Sequence, residues 1–342
     1  MRQLNFSIIL AALCAITTPA LSQLSGTIIV ANMSDNSVTM IDAASGEAIA
    51  TLPSGPAPHE VAVSPSGEWA VVTNYGSQNS VGNSLTLIDV REAEIHDVFD
   101  LGVYERPHGV VFLPDNRHVV VTSEAMRVIL FIDIESGEVI DTVSTTQRAS
   151  HMLASTPDAS VIFTTNIVDG TVTQFNGLDR TRSRVIEVAP FVEGIALSPD
   201  GARAWIGSNR ASQVLVLNVE SGEVEKTYND FGFPYRMAVM PNGRYALLCD
   251  PGKSEIRVID AHTLEHVKTI SIDGSKALVS SEFPGSASPE GLVITPDSRY
   301  AFVSLQALNQ VAAIDLSTLE IIERFDTGVW PDGISYSPLS AR

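Results

Sequence analysis

HGVVFLPDNRHVVVTS (108–123) places two short apolar strands on either side of a proline-led turn, and its reading decides the fold. The valines favour extended backbone, while Pro114, Asp115 and Asn116 are residues that reverse the chain. The first half of the unit recurs as HEVAVSPSGE (59–68), HMLASTPDAS (151–160), EGIALSPDGA (193–202), YRMAVMPNGR (235–244), EGLVITPDSR (290–299) and DGISYSP (332–338). Its turn prolines stand at 65, 114, 157, 199, 241, 296 and 338, giving spacings of 49, 43, 42, 42, 55 and 42. A third strand follows, as in LTLIDV (85–90), ILFIDI (129–134), EIRVID (255–260) and VAAIDL (311–316). A glycine turn and a fourth strand close each unit, as in ESGEVIDTV (135–143) and ESGEVEKTY (220–228). Four short strands repeating about every 42 residues predict β-propeller blades.

The two ends of the chain complete the count. TIIVAN (27–32) reads as a second strand, SVTMID and EAIATL follow it, and the chain finishes on a first strand. One C-terminal inner strand and three N-terminal strands therefore make the seventh blade, which removes open sheet edges. The expected fold is all-β, a seven-bladed β-propeller forming a single domain over 23–342.

The repeat resembles the YVTN family of seven-bladed propellers, which includes YncE-like periplasmic proteins. The residues that carry the likeness are VVTN (71–74), SPDG (198–201), SLTLIDV (84–90) and ESGEV (135–139 and 220–224). The resemblance spans about 27–338. It implies the fold, and it implies that function lies in a site grafted onto that fold. Related scaffolds serve lactonases, haem- and copper-containing periplasmic enzymes, and binding proteins.

Composition narrows the partners. The 342 residues carry 40 acidic against 21 basic side chains, a formal charge of −19. Nucleic acid is disfavoured as a partner, because Lys and Arg must neutralise its phosphates. Residues 1–22 combine Arg2, the apolar run FSIILAALCAIT and small residues at Ala20 and Ser22, the pattern of a cleaved signal peptide. That run is too short to span a membrane, and no later segment resembles a span. A periplasmic or secreted location is expected. Loss of Cys14 with the signal would leave Cys249 alone, a small buried hydrophobe with no disulfide partner.

Loop lengths single out one face. The turns after strands one and three are short and stereotyped, whereas GSQNSVGNS (76–84) and GSKALVSSEFPGSAS (274–288) lengthen connections at the channel entrance. The residue six before each turn proline stands at that mouth: His59, His108, His151, Glu193, Tyr235, Glu290 and Asp332. Three of the chain's seven histidines occupy this one slot on successive blades, far more than chance placement gives.

Three readings of the ring stay open. His59, His108, His151 and Glu193 could ligate a divalent transition metal. Glu290 and Asp332 could serve as general base or acid, with or without that metal. Alternatively the ring is a hydrogen-bonded collar in a wet channel mouth. Arg106, Arg148 and Arg236 could hold an anionic group, and Tyr235, Trp330, Tyr75 and Phe233 could wall a pocket.

The functional expectation is a small-molecule or protein ligand bound at the channel entrance. A metal-assisted hydrolase or lactonase is the alternative, and a redox partner holding copper or haem is a further one. The chain has no GxSxG, HExxH, CxxCH or phosphate-loop motif. His96, His118, His262 and His266 are expected on outer strands or turns. Asp42, Asp89, Asp133, Asp260 and Asp315 end third strands, and Asp115, Asp158, Asp200 and Asp297 sit in the proline turns; all are expected to bond turn backbone.

Overall fold

Seven four-stranded antiparallel sheets are present among the described residues of the computed structural model, 24–278 and 282–342. The predicted signal segment 1–22 lies outside them. Pro58–Val63, Trp69–Gly76, Val81–Asp89 and Glu94–Asp100 form one blade in chain order, named here the His59 blade after its mouth residue. The His108, His151, Glu193, Tyr235 and Glu290 blades repeat that order. In the closing blade Pro331–Ser337 pairs with Thr27–Asn32, followed by Ser37–Asp42 and Ala48–Pro53.

Burial runs radially. Second and third strands such as Thr27–Asn32 and Val128–Asp133 are covered on both faces, which is why their sequences are almost continuously apolar. Fourth strands such as Val139–Ser144 alternate between exposed and half-buried, as a rim strand should. The core lies between blades. Val71, Leu85, Leu87 and Phe99 of the His59 blade, for instance, pack on Val119, Val121, Leu130 and Ile132 of the next. Each such buried side chain contributes about 1.5–3 kcal/mol.

The stereotyped turns also carry inter-blade packing. Gly137, in an ESGE turn, has φ +72°, and a Cβ there would lie 2.4 Å from the Phe99 ring of the preceding blade. Only glycine fits both the backbone and the neighbour. The turn aspartates bond backbone: Asp89, Asp133, Asp260 and Asp315 accept from N–H groups two residues on, at 2.7–2.9 Å. Asn176 and Asn218 do the same in blades that lack the aspartate.

The 76–84 stretch is an extended hairpin in which Gly76 pairs with Val81, so the insertion lengthens a ladder. Within 274–288, residues 279–281 lie outside the described residues. No helix among the described residues is long and apolar enough to cross a membrane.

Candidate functional site

A β-bulge in the inner strand builds the channel mouth. In six blades two inner-strand residues oppose one residue of the second strand: His59–Glu60 face Thr73, and His108–Gly109 face Thr122. Likewise His151–Met152 face Thr165, Glu193–Gly194 face Gly207, Glu290–Gly291 face Ser304 and Asp332–Gly333 face Ala31. Bulges re-aim side chains and interrupt pairing. The freed groups are joined by hydroxyls. Gly109 N–H donates to Thr122 Oγ1 (2.9 Å), which donates to the His151 carbonyl of the next blade (2.7 Å). Thr165 and Ser304 repeat this relay onto the Glu193 and Asp332 carbonyls, both at 2.7 Å. The ring's backbone and these hydroxyls therefore carry part of the inter-blade bonding, and the side chain of His151 carries more of it through Glu124 of the preceding blade.

The second bulge residue separates the blades further. Gly109, Gly194, Gly291 and Gly333 occupy it in four of them, and a Cβ on Gly291 would lie 2.1 Å from the Asp332 carbonyl oxygen. Glu60 stands there in the His59 blade, Arg236 follows the mouth residue of the Tyr235 blade, and the two meet across the channel. Arg236 Nε and Nη2 donate to Glu60 Oε1 at 2.9 and 2.5 Å. Arg236 Nη1 lies 3.7 Å from Glu193 Oε1, and the guanidinium covers the Tyr235 ring at 4.1 Å. Burial alone would lower the pKa of Arg236, but Glu60 and its neighbours raise it well above the ordinary value, so it stays charged.

The three histidines do come together, as a stack. The His108 and His151 ring centroids are 3.6 Å apart at 31°, and His59 meets His108 edge-on at 5.1 Å. Tyr75 lies against both His59 and His108. Their charge states differ. Burial takes His59 down to about 4, against the Ala57 carbonyl to which its Nδ1–H donates at 2.9 Å. Burial, and then the neighbouring His151 and His59, take His108 well below its usual value. Burial also opposes charging of His151, yet its bonds to Glu124 (Nδ1 to Oε2, 3.0 Å) and toward Glu193 (Nε2 to Oε1, 3.6 Å) hold it at about 9. One imidazolium is thus stacked on the neutral imidazole of His108, with both its nitrogens facing carboxylates.

As a metal site this arrangement has two features to weigh. His151 presents N–H bonds where a ligand needs a lone pair. Among the described residues no group of three or more His, Cys, Asp or Glu side chains is arranged to hold a metal ion.

The other arc lines a separate space. A cavity of about 340 Å³ is bounded by Met33, Phe233, Phe283 and Trp330 on its apolar side. His59, Glu193, Tyr235, Glu282, Ser288, Glu290 and Asp332 supply its polar side. Burial raises Glu290 well above the usual carboxylate range, with Asp332 adding to it. Burial lifts Asp332 to about 6 despite the pull of Arg236. Asp332 is 2% exposed, and its Oδ1 has no hydrogen-bond partner; neither does Oγ of the fully buried Ser288. Six buried side-chain atoms lack partners among the described residues, and four of them belong to this end of the channel: His108 Nδ1, Arg236 Nη1, Ser288 Oγ and Asp332 Oδ1. A second cavity of about 550 Å³ reaches the Glu60–Arg236 pair from the opposite face, between Val61, Val111, Met152, Ile195 and Leu292.

Trp330, Tyr235, Glu290 and Asp332 share the entrance chamber, and Arg236 lies beside it, held by Glu60. Arg106 covers Tyr75 at 4.9 Å and bonds the Ser77 carbonyl, at the histidine end. Arg148 is tied to Asp169, with Nε to Oδ1 at 2.7 Å, and does not line the chamber. His96, His262 and His266 are exposed, and His118 pairs with Asp115 at 2.6 Å.

Sequence reasoning missed Glu60, Glu124 and Asn209. Asn209 donates from Nδ2 to Glu193 Oε2, and Glu124 accepts from both Tyr75 and His151. A signal was present. Glu60 and Arg236 replace the glycine that four other repeats carry after the mouth residue. Glu124 and Asn209 each follow the last residue of a second strand, a slot that elsewhere holds Met33 and Gln306 of the chamber wall.

No protein-family profile matches the chain. It is 22% identical over 249 residues to the uncharacterized protein YncE of Salmonella typhi and to that of Salmonella typhimurium, a match covering 67% of this chain and 64% of theirs. Among solved structures it is similar to hydrazine synthase of Kuenenia stuttgartiensis, with a TM-score of 0.70 and 17% identity over 86% of this chain and 94% of that one. A protein of unknown function from Desulfotomaculum acetoxidans superposes with a TM-score of 0.75 and 14% identity, over 92% of this chain and 99% of that one. These likenesses show the propeller fold.

Proposed function

We propose that this propeller is a binding protein that receives a small molecule in the entrance chamber between Trp330, Phe233, Glu290 and Asp332. One observation carries the reading. The chamber pairs an apolar wall with two buried polar atoms, Asp332 Oδ1 and Ser288 Oγ, that the protein leaves without partners. Buried polar groups are almost always satisfied, so an unpartnered pair on residues that line one cavity suits an outside partner. Hydroxyl relays tie the bulged inner strands around it to the next blade, which suits a preformed site. With residues 1–22 acting as a signal peptide, binding would take place outside the cytoplasm.

A thermal-shift screen of small molecules against the native chain and Trp330→Ala tests this. Ligands that raise the Tm of the native chain should lose their effect in the variant, because the apolar wall is gone. Ligands that stabilise both proteins equally would contradict the chamber as the site.

A further inference from the structure

We infer that the ligand of this chamber is a small organic ammonium ion, a protonated amine on an apolar body, with its nitrogen between Asp332, Glu290 and Ser288. The inference rests on the chamber reading above and adds the chemical class.

Acceptors come first. Ser288 Oγ and Asp332 Oδ1 are buried and unpartnered, and the Glu290 carboxyl, on a residue 5% exposed, lines the same chamber. Three acceptors on two neighbouring blades match the three N–H donors of an ammonium group. The wall supplies the rest, since Trp330, Tyr235, Phe233 and Phe283 present aromatic surface to an apolar body and to the cation itself.

Charge then selects among ligand classes. Glu193, Glu282, Glu290 and Asp332 line the chamber, and among the described residues no Lys or Arg does. The nearest cations, Arg236 and His151, already face Glu60, Glu193 and Glu124. An anionic ligand would add negative charge beside four acidic side chains. A neutral ligand would leave the Asp332 carboxylate with only the pull of Arg236, whose guanidinium is bonded to Glu60. Among the described residues no group of three or more His, Cys, Asp or Glu side chains is arranged to hold a metal ion. A cation with an apolar body answers both halves of the site.

Benzylamine, benzyl alcohol and benzoate make a matched set of probes that differ only in charge. Calorimetric titration of the full chain at pH 8 should show benzylamine binding at least about tenfold more tightly than either of the others. Asp332→Asn should cost about a hundredfold for the amine and leave the alcohol unchanged. Glu290→Gln gives a second, milder loss should Asp332→Asn fold poorly. Benzyl alcohol or benzoate binding as tightly as the amine, with binding lost in Trp330→Ala, would overturn the ammonium class and leave the chamber standing. No binding of any probe, together with library ligands indifferent to Trp330→Ala, would overturn both.

Discussion

Asp200 and Asp332 stand at opposite ends of the propeller's inner strands and are treated in opposite ways. Asp200, in a proline turn, accepts from Ser198 Oγ at 2.6 Å and from Ala202 N–H at 3.0 Å, and these bonds hold it below the usual carboxylate range. Asp332, at the mouth, is buried, has an unpartnered oxygen and is pushed up to about 6. The turn face completes its own hydrogen bonds, and a groove of about 510 Å³ along Ser198, Pro199, Asp200, Arg203 and Asn242 is walled by groups already paired. The mouth holds buried charges whose pairing is partial. Residues of the first kind state how the chain folds, and those of the second kind carry the proposed binding site.

The largest effect expected from breaking this contrast is at the cross-channel pair. Arg236→Met should destabilise by about 3–5 kcal/mol in chemical denaturation, because it leaves Glu60 and Glu193 buried without their cation. Changing Glu60 to Leu in the same chain should recover most of that loss. Unaltered stability in Arg236→Met would mean the pair is solvated.

His151 gives the next effect. Its pKa is raised from 6.5 to about 9, so its stabilisation is full below pH 6.5 and is lost as pH rises through 9. That window should account for up to about 3 kcal/mol, and it should vanish in Glu124→Gln/Glu193→Gln.

Asp332 acts comparably or somewhat less, and with a useful sign. Its folded value near 6 exceeds the ordinary 3.8, so ionisation costs stability as pH rises between them. Asp332→Asn should therefore gain up to about 3 kcal/mol at pH 8 and nothing at pH 3. Amine binding in the native chain should tighten over the same rise in pH, as the carboxylate forms. Glu290, Glu282, Glu193, Glu60, His59, His151, Tyr235 and Arg236 face that end of the channel, so the apparent midpoint belongs to the group. Binding that weakens from pH 5 to pH 8 would reverse the account.

The smallest effect is the control. Asp200→Ala should cost only about 1 kcal/mol and leave ligand binding unchanged.

The architecture was legible because it is written in periodic residues. Prolines 65 to 338 mark every blade, and the glycine of ESGE can be no other residue beside Phe99. The ring at His59, His108 and His151 was legible for the same reason. What stayed hidden depends on contacts between distant repeats. Glu60 and Arg236 are 176 residues apart in the chain, and only the closed ring brings them together. The charge of His151 was equally unreadable, because Glu124 comes from a loop no motif marks. The bulge that aims the ring leaves no turn residue behind, since Ala57, Arg106, Ala149, Phe191, Ser288 and Trp330 lead into it with positive φ although none is glycine.

A crystal structure of the protein soaked with benzylamine would test the central claim most directly. The account predicts density in the entrance chamber, with the amine nitrogen within hydrogen-bond distance of Asp332 Oδ1 and the ring against Trp330. Density in the groove at Pro199 and Asn242 on the turn face, with the chamber side chains paired to one another, would contradict it.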